Sequence, residues 1–278
     1  MDAHSAKNRH SLTEDNLSLK IPETPAIPVY NNASTGPHPL QSGAELQASM
    51  EAGGCPPQLF EILVQHHAKL EQSAKIRQRA LGEARKGNSL TAIALFSHLI
   101  AVNPDSATDY NNRGLVYFQN GQFDQAIADY NRAIELNPAL DRVYNNRANY
   151  YAHHGQLADA ILDYETAIDL NPHNVRAWIN QGITFREMGE YERAVHCFEV
   201  ALSFRVLEGH IYAERGRTHH LSGDWNCAIA DYYQALQVLP HSCEVTNRRS
   251  CRLRQQTVDW LDELLTPLGV PGQAEPSL

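Results

Sequence analysis

Residues 107–140 read ATDYNNRGLVYFQNGQFDQAIADYNRAIELNPAL, and residues 141–174 read DRVYNNRANYYAHHGQLADAILDYETAIDLNPHN. Laid one above the other, they match at Tyr110 and Tyr144, Asn111-Asn112 and Asn145-Asn146, Gly121 and Gly155, Ala126 and Ala160, and Asn137-Pro138 and Asn171-Pro172. The offset is 34 residues; Asn103-Pro104 stands one step upstream, and Pro240 two steps beyond Pro172. A fixed period of this length marks a stacked-repeat architecture in which each unit is one supersecondary element.

Placing the proline at position 32 of each unit gives five units, 73–106, 107–140, 141–174, 175–208 and 209–242. In that register position 8 holds Ala80, Gly114, Ala148, Gly182 and Gly216, and position 20 holds Ala92, Ala126, Ala160, Ala194 and Ala228. Position 27 holds Leu99, Ala133, Ala167, Ala201 and Ala235. Two antiparallel helices approach closely only where side chains are small, so these rows predict the contact line of a helical hairpin. Bulky residues flank it at position 4 (Ile76, Tyr110, Tyr144, Trp178, Tyr212) and position 24 (Phe96, Tyr130, Tyr164, Phe198, Tyr232). Glycine at position 15 is suited to a left-handed cap on the first helix, and Asn-Pro near position 32 ends the second.

This pattern resembles the tetratricopeptide repeat, in particular bacterial repeats that carry the NNRG phrase. The resemblance implies an all-α fold: a right-handed α-solenoid of five stacked hairpins with N-terminal and C-terminal capping helices. Two departures stand out. Unit 73–106 has Glu83 and Leu99 at positions 11 and 27, and unit 175–208 has Val206 in place of proline with Gly209 following, so a tilted or extended junction is expected before residue 209.

Outside the repeats, residues 1–56 are rich in Pro, Ser, Asn and His and are expected to be disordered, having too little apolar surface to offset chain entropy. Leu59, Ile62, Leu63, His66 and Leu70 recur at helical spacing after Pro56-Pro57, which predicts a helix over 57–72, running on into the first unit. Ser242 can cap a last helix over 243–266, with Leu253, Trp260, Leu261 and Leu264 on its apolar side, covering the open end of the stack; 267–278 reads as a loose tail. The prolines between Ile21 and Tyr30 keep that segment extended, so that it could occupy the chain's own groove.

A formal charge of -9 opposes a protein that chiefly grips phosphates, and five cysteines without a CxxC pair suggest neither disulfides nor zinc. No apolar run approaches the length of a membrane span, so a soluble, cytoplasmic protein is expected, without signal peptide or anchor. The pairs His66-His67, His153-His154 and His219-His220 point apart on a helix and form no chelate by themselves, so no metal is expected. There is no phosphate loop, no nucleophile elbow and no room for a catalytic domain; an enzyme, a cofactor, a small-molecule substrate and a nucleic-acid partner are all unexpected.

The resemblance implies that the first helix of each unit lines a concave groove. Its inward positions carry Asn111, Asn112, Asn145, Asn146, Asn149 and Asn180, whose amides each offer an acceptor and two donors to the backbone of an extended peptide. Arg142, Arg176 and Arg217 would add guanidinium groups suited to an acidic segment or a C-terminal carboxylate. The ladder is similar to that of family members that bind peptide backbones through asparagines; the alternative is a set of solvated helix-opening residues. The family's carboxylate clamp is matched only in part, by Arg77, Asn112 and Arg142, with Leu81 and Asn146 at its other two positions. Position 7 (Arg113, Arg147, Gln181, Arg215) changes together with position 23 (Asp129, Asp163, Cys197, Asp231), which predicts an Arg–Asp brace joining the two helices of a hairpin, absent where Gln181 stands; unit 73–106 breaks the rule with Arg79 and Leu95. The expected function is a protein-protein interaction scaffold, an adaptor or assembly factor holding a peptide in its groove. Binding or self-association through the convex face or the last helix, with Trp260 exposed, is the alternative.

Overall fold

A computed structural model describes residues 57–240 and 248–266, apart from the side chains of 57–60, 62–64, 248 and 249. The head 1–56 with its Ile21–Tyr30 segment, Ser242 and the tail 267–278 lie outside the described residues. Among the described residues there are eleven helices and no strand. They are α1 (Pro57–Arg85), α2 (Ser89–Val102), α3 (Ala107–Gln119), α4 (Phe123–Leu136), α5 (Asp141–His153), α6 (Leu157–Leu170), α7 (Val175–Glu187), α8 (Tyr191–Ser203), α9 (Glu208–Ser222), α10 (Trp225–Val238) and α11 (Arg248–Leu265). Each of the five units supplies one hairpin, from α1–α2 to α9–α10. The helix that opens at Pro57 continues unbroken into the first unit, because Gln58 to Leu81 contains neither Gly nor Pro.

The hairpins form because rings nest against small residues. Every position-24 ring is essentially inaccessible, as are the position-20 alanines. A methyl group on Gly114 would lie 2.9 Å from the ring of Tyr130, and one on Gly182 2.9 Å from that of Phe198, so the first helix rides directly on the ring of the second. The turn between them needs left-handed backbone, and the position-15 glycines adopt it, with φ from 72 to 85°. At the far end Asn103, Asn137 and Asn171 are extended rather than helical, as expected of a residue preceding proline.

The Arg–Asp brace is present wherever both residues occur. Arg113 donates to both carboxylate oxygens of Asp129 at 2.8 Å, Arg147 to Asp163 at 2.7 and 2.8 Å, and Arg215 to Asp231 at 2.7 Å twice. Each is a bidentate, charge-assisted pair with the aspartate buried. In the fourth unit the neutral substitutes keep a weaker link, the Cys197 thiol donating to Gln181 Oε1 at 3.4 Å. Burial pushes that thiol up to about 12, so it remains protonated and able to donate. A further pair joins units one and two: Arg77 donates to Asp109 at 2.6 and 2.8 Å.

Curvature follows from which helices touch. First helices of successive hairpins contact one another (α1 with α3, α3 with α5, α5 with α7, α7 with α9), whereas successive second helices do not. The stack therefore bends toward the first helices, which form its inner face, and the second helices splay apart on the outside. The described C-terminal helix α11 packs across α9 and α10, burying Leu261 and Leu264 with Trp260 stacked on Tyr232 at 6.0 Å.

The join between units four and five differs from the others. Without proline, α8 leads into α9 through Arg205 (φ 54°) and Leu207 (φ 57°), both left-handed although neither is glycine. Gly209 then fits against Leu239, which a methyl group would meet at 3.0 Å. Across this join Arg186 donates to the buried carboxylate of Glu214 at 2.8 Å. Burial alone would raise Glu214, but Arg186 foremost, with His210 and Arg217, holds it below the usual carboxylate range. His210 is held below the ordinary imidazole value chiefly by burial, with Arg176 and Arg186 adding to the effect and Glu214 opposing it.

Three outcomes are expected. In a double-mutant cycle, Arg147→Ala and Asp163→Ala each cost about 3 kcal/mol, and the double variant costs less than their sum by at least about 1 kcal/mol; additive denaturation midpoints would remove the brace. Arg205→Gly relieves a left-handed side-chain penalty and stabilises by about 1 kcal/mol, visible as a melting point raised by a few degrees. Because His210 titrates lower in the folded chain than in the unfolded one, the unfolded state binds more protons as pH falls through 6.5, so stability drops on acidification from neutrality. Thermal melts of His210→Gln should show a shallower loss over that range than the parent protein.

Candidate functional site

The inner face is formed by the first turns and middles of α3, α5, α7 and α9. Its asparagines bond to each other before they face anything else. Asn146 donates to Asn111 at 2.9 Å, Asn180 donates to Asn145 at 3.2 Å, and within α5 Asn145 donates to Asn146 at 3.4 Å. The link runs from position 5 of one unit to position 6 of the next, a separation of 35 residues. Asn111, Asn145 and Asn146 are only 5–7% exposed, so this amide chain is mainly the seam between first helices. The signal was available in the pairing of Asn at position 5 with Asn at position 6 one unit later, which single-unit reading does not reveal.

Asn112 and Asn180 are half-exposed, and Asn112 makes no side-chain hydrogen bond among the described residues. Its neighbour at position 5 of the preceding unit is Arg77, whose guanidinium is taken by Asp109, so the seam does not extend to Asn112. That same pair occupies the first basic residue of the partial clamp. Asn149 is half-buried, and its Oδ1 accepts from Tyr164 Oη at 2.7 Å. This bond satisfies a position-24 hydroxyl that in the second unit, with Leu115 in place of Asn149, leaves Tyr130 Oη without a partner.

Arg142 is exposed on the first turn of α5 and Arg176 half-buried on that of α7. Arg217 lies apart from them: its guanidinium sits 5.3 Å from the Trp260 ring and donates to Glu263 at 3.3 Å, both on α11. The predicted site residues therefore fall into four groups: Asn111, Asn145 and Asn146 buried in the amide seam; Asn149 held by Tyr164; an accessible set of Asn112, Asn180, Arg142 and Arg176, of which Asn180 also ends the seam; and Arg217 under the terminal helix. The accessible set combines amide donors and acceptors with two cations, which suits a backbone carrying acidic side chains.

Of the histidine pairs, His219 is brought near Asp224 and Cys227, their ligand atoms lying within 4.8 Å of one another. The turn after α9 creates this grouping, which the spacing of the His pair alone does not announce. Asp224 is accounted for as the cap of α10, accepting from Cys227 N at 3.3 Å. No described helix is long and apolar enough to cross a membrane.

The tetratricopeptide repeat family model matches residues 107–140 and 142–174, and a second model of the same description matches 163–196. No curated protein matches the sequence. Among solved structures the chain is similar to Pseudomonas aeruginosa pilF, with TM-score 0.58 and 20% identity over 74% of this chain and 95% of that one. It is similar to PilW, described as a widely conserved type IV pilus biogenesis factor, with TM-score 0.58 and 16% identity over 72% and 95%. A thermophilic protein of this repeat type from Thermus thermophilus gives TM-score 0.59 and 17% identity over 68% and 98%. At these identities the likeness is one of fold. With the repeat register, the nested hairpins and the matched family models in agreement, the chain belongs to the tetratricopeptide repeat proteins, a family of protein-interaction scaffolds.

Proposed function

We propose that the inner face holds an extended, acidic segment of a protein partner, through Asn112 and Asn180 for the peptide backbone and Arg142 and Arg176 for acidic side chains or a terminal carboxylate. The observation that carries this reading is the half-exposed Asn112 amide, whose hydrogen-bonding capacity is not taken up by the seam that uses its neighbours. Its carbonyl and amino groups can pair with the N–H and C=O of one residue of an extended chain. Successive first helices lie about 8–10 Å apart and an extended chain rises about 3.3 Å per residue, so contacts from α3 to α7 span roughly six peptide residues. The protein then acts as an adaptor or assembly factor without catalysis of its own. Binding through the last helix is less favoured, since Trp260 is stacked on Tyr232 and covered by Arg217 rather than offered outward.

The test is selection of ligands from a displayed peptide library against the full chain. Enrichment of Asp- or Glu-bearing sequences is expected, and in Asn112→Ala, Asn180→Ala the selected peptides should bind about thirtyfold more weakly, the loss of two hydrogen bonds worth about 2 kcal/mol together. Undiminished affinity in that variant, with helical content unchanged by circular dichroism, would overturn the groove as the binding site.

A further inference from the structure

The outer face carries an interruption that the brace makes readable. In units two and three the position-7 guanidinium lies between two aromatic rings, those of positions 4 and 11. Arg113 is 5.5 and 5.6 Å from the ring centres of Tyr110 and Tyr117, and Arg147 is 5.7 and 5.8 Å from those of Tyr144 and Tyr151. In unit five Arg215 lies 5.7 Å from Tyr212. These guanidiniums also bridge the splayed second helices: Arg113 donates to Ser97 at 3.0 Å and Arg147 to Asn131 at 2.9 Å, each on the second helix of the preceding unit.

In the fourth unit the rings remain, as Trp178 and Phe185, but Gln181 stands where the arginine would be and its brace partner is Cys197. A cavity of about 460 Å³ occupies this place, floored by α7 and opening between α6 and α8 on the outer face. At the position of Ser97 and Asn131, the residue that would receive the bridging guanidinium is here Glu165. Asp169 and Glu192 also line the cavity, and none of the three carboxylates forms an ion pair among the described residues. The arginine in the lining, Arg193, lies 3.9 Å from the centre of the Phe185 ring and is paired with Glu190 at 2.5 Å, so its charge is already matched. Three carboxylates against one paired guanidinium and the His196 imidazole leave the lining acidic.

We infer that this cavity is a socket for an arginine side chain presented by a protein partner on the outer face, stacking on Trp178 and pairing with Glu165 as the chain's own arginines stack and bridge in the neighbouring units. Arginine fits better than lysine because its planar guanidinium stacks on an indole and forms directed pairs with carboxylates, whereas an ammonium is a compact, strongly hydrated charge. The volume exceeds a guanidinium and leaves space for the aliphatic stem. Arginine within a chain fits better than the free amino acid, whose α-carboxylate would approach Asp169 and Glu192. This site is separate from the inner groove and does not depend on it.

The test uses the full chain labelled with nitrogen-15, following the Trp178 indole signal, assigned through Trp178→Phe, during titration with blocked tripeptides centred on arginine, lysine or citrulline. The arginine peptide should shift that signal with saturation, at least tenfold more tightly than the citrulline peptide and more tightly than lysine or free arginine. Gln181→Arg with Cys197→Asp rebuilds the brace and fills the socket from within, so it should abolish the shift while leaving the melting point unchanged or higher. Should that variant fold poorly, Glu165→Lys with Glu192→Lys reverses charge at two exposed positions and should weaken the arginine peptide at least tenfold; Asn112→Ala with Asn180→Ala should leave it unchanged. Equal binding of all three peptides, undiminished binding in the charge-reversed or refilled variant, or no Trp178 shift at the solubility limit of the arginine peptide would overturn the assignment.

Discussion

The contact on which the stack rests is a ring against a missing side chain. A first helix can lie on Tyr130, Phe198 or Tyr232 only because the residue beneath it is Gly114, Gly182 or Gly216, and the alanines of position 20 close the same approach from the other side. Burying each ring removes a large apolar surface from water at one point per hairpin. Since a ring against a small residue recurs in every unit, with Ala80 and Ala148 taking the place of glycine in units one and three, stability accumulates along the array from local terms and neighbour interfaces rather than from one central core. The seven separate buried clusters follow the chain in this way, and together they run from α1 to α11.

Bending creates two surfaces with different needs. On the inside, first helices are drawn together and their polar residues must find partners; the chain Asn180, Asn145, Asn146, Asn111 satisfies one amide with the next, and a buried amide left alone would be costly. On the outside, second helices diverge and the gap must be filled by something long. Arginine serves because its stem covers apolar surface while its head reaches an aspartate in its own hairpin and a polar group in the preceding one. Polar groups on both faces therefore serve first as joinery, and only what the joinery leaves over is available to a partner.

The register, the two caps of each hairpin and the Arg–Asp brace could be read from residues alone, because each depends on types recurring at one position, including the paired change to Gln181 and Cys197. Other features depend on relations between units and were less accessible. Asn112 and Asn146 look alike when units are superimposed, and only the link from position 5 of one unit to position 6 of the next separates the seam residue Asn146 from the accessible Asn112. Arg217 has the same inward position as Asn149, but its environment is set by α11, which a repeat register does not contain. Val206 announces an irregular join, while the left-handed Arg205 and Leu207 that execute it carry no local signal, since neither residue type favours that backbone.

The departures from the repeat concentrate in units four and five. Where the amide seam ends at Asn180, the next pair of positions is Ile179 and Glu214, and the link between first helices is remade as a buried ion pair from Arg186 to Glu214. Where the outer guanidinium is missing, the cavity beside Trp178 appears. An ion pair differs from an amide bond in depending on the protonation of both partners and on neighbouring charge, and His210 adjoins this one. The array is thus joined by neutral amide contacts at its second and third junctions and by ion pairs at the first, Arg77 with Asp109, and the fourth, where an imidazole adjoins the pair. That junction also lacks the proline stop that sets the other helix ends, so geometry there rests on the Arg186–Glu214 pair and the Gly209–Leu239 contact more than on the backbone itself.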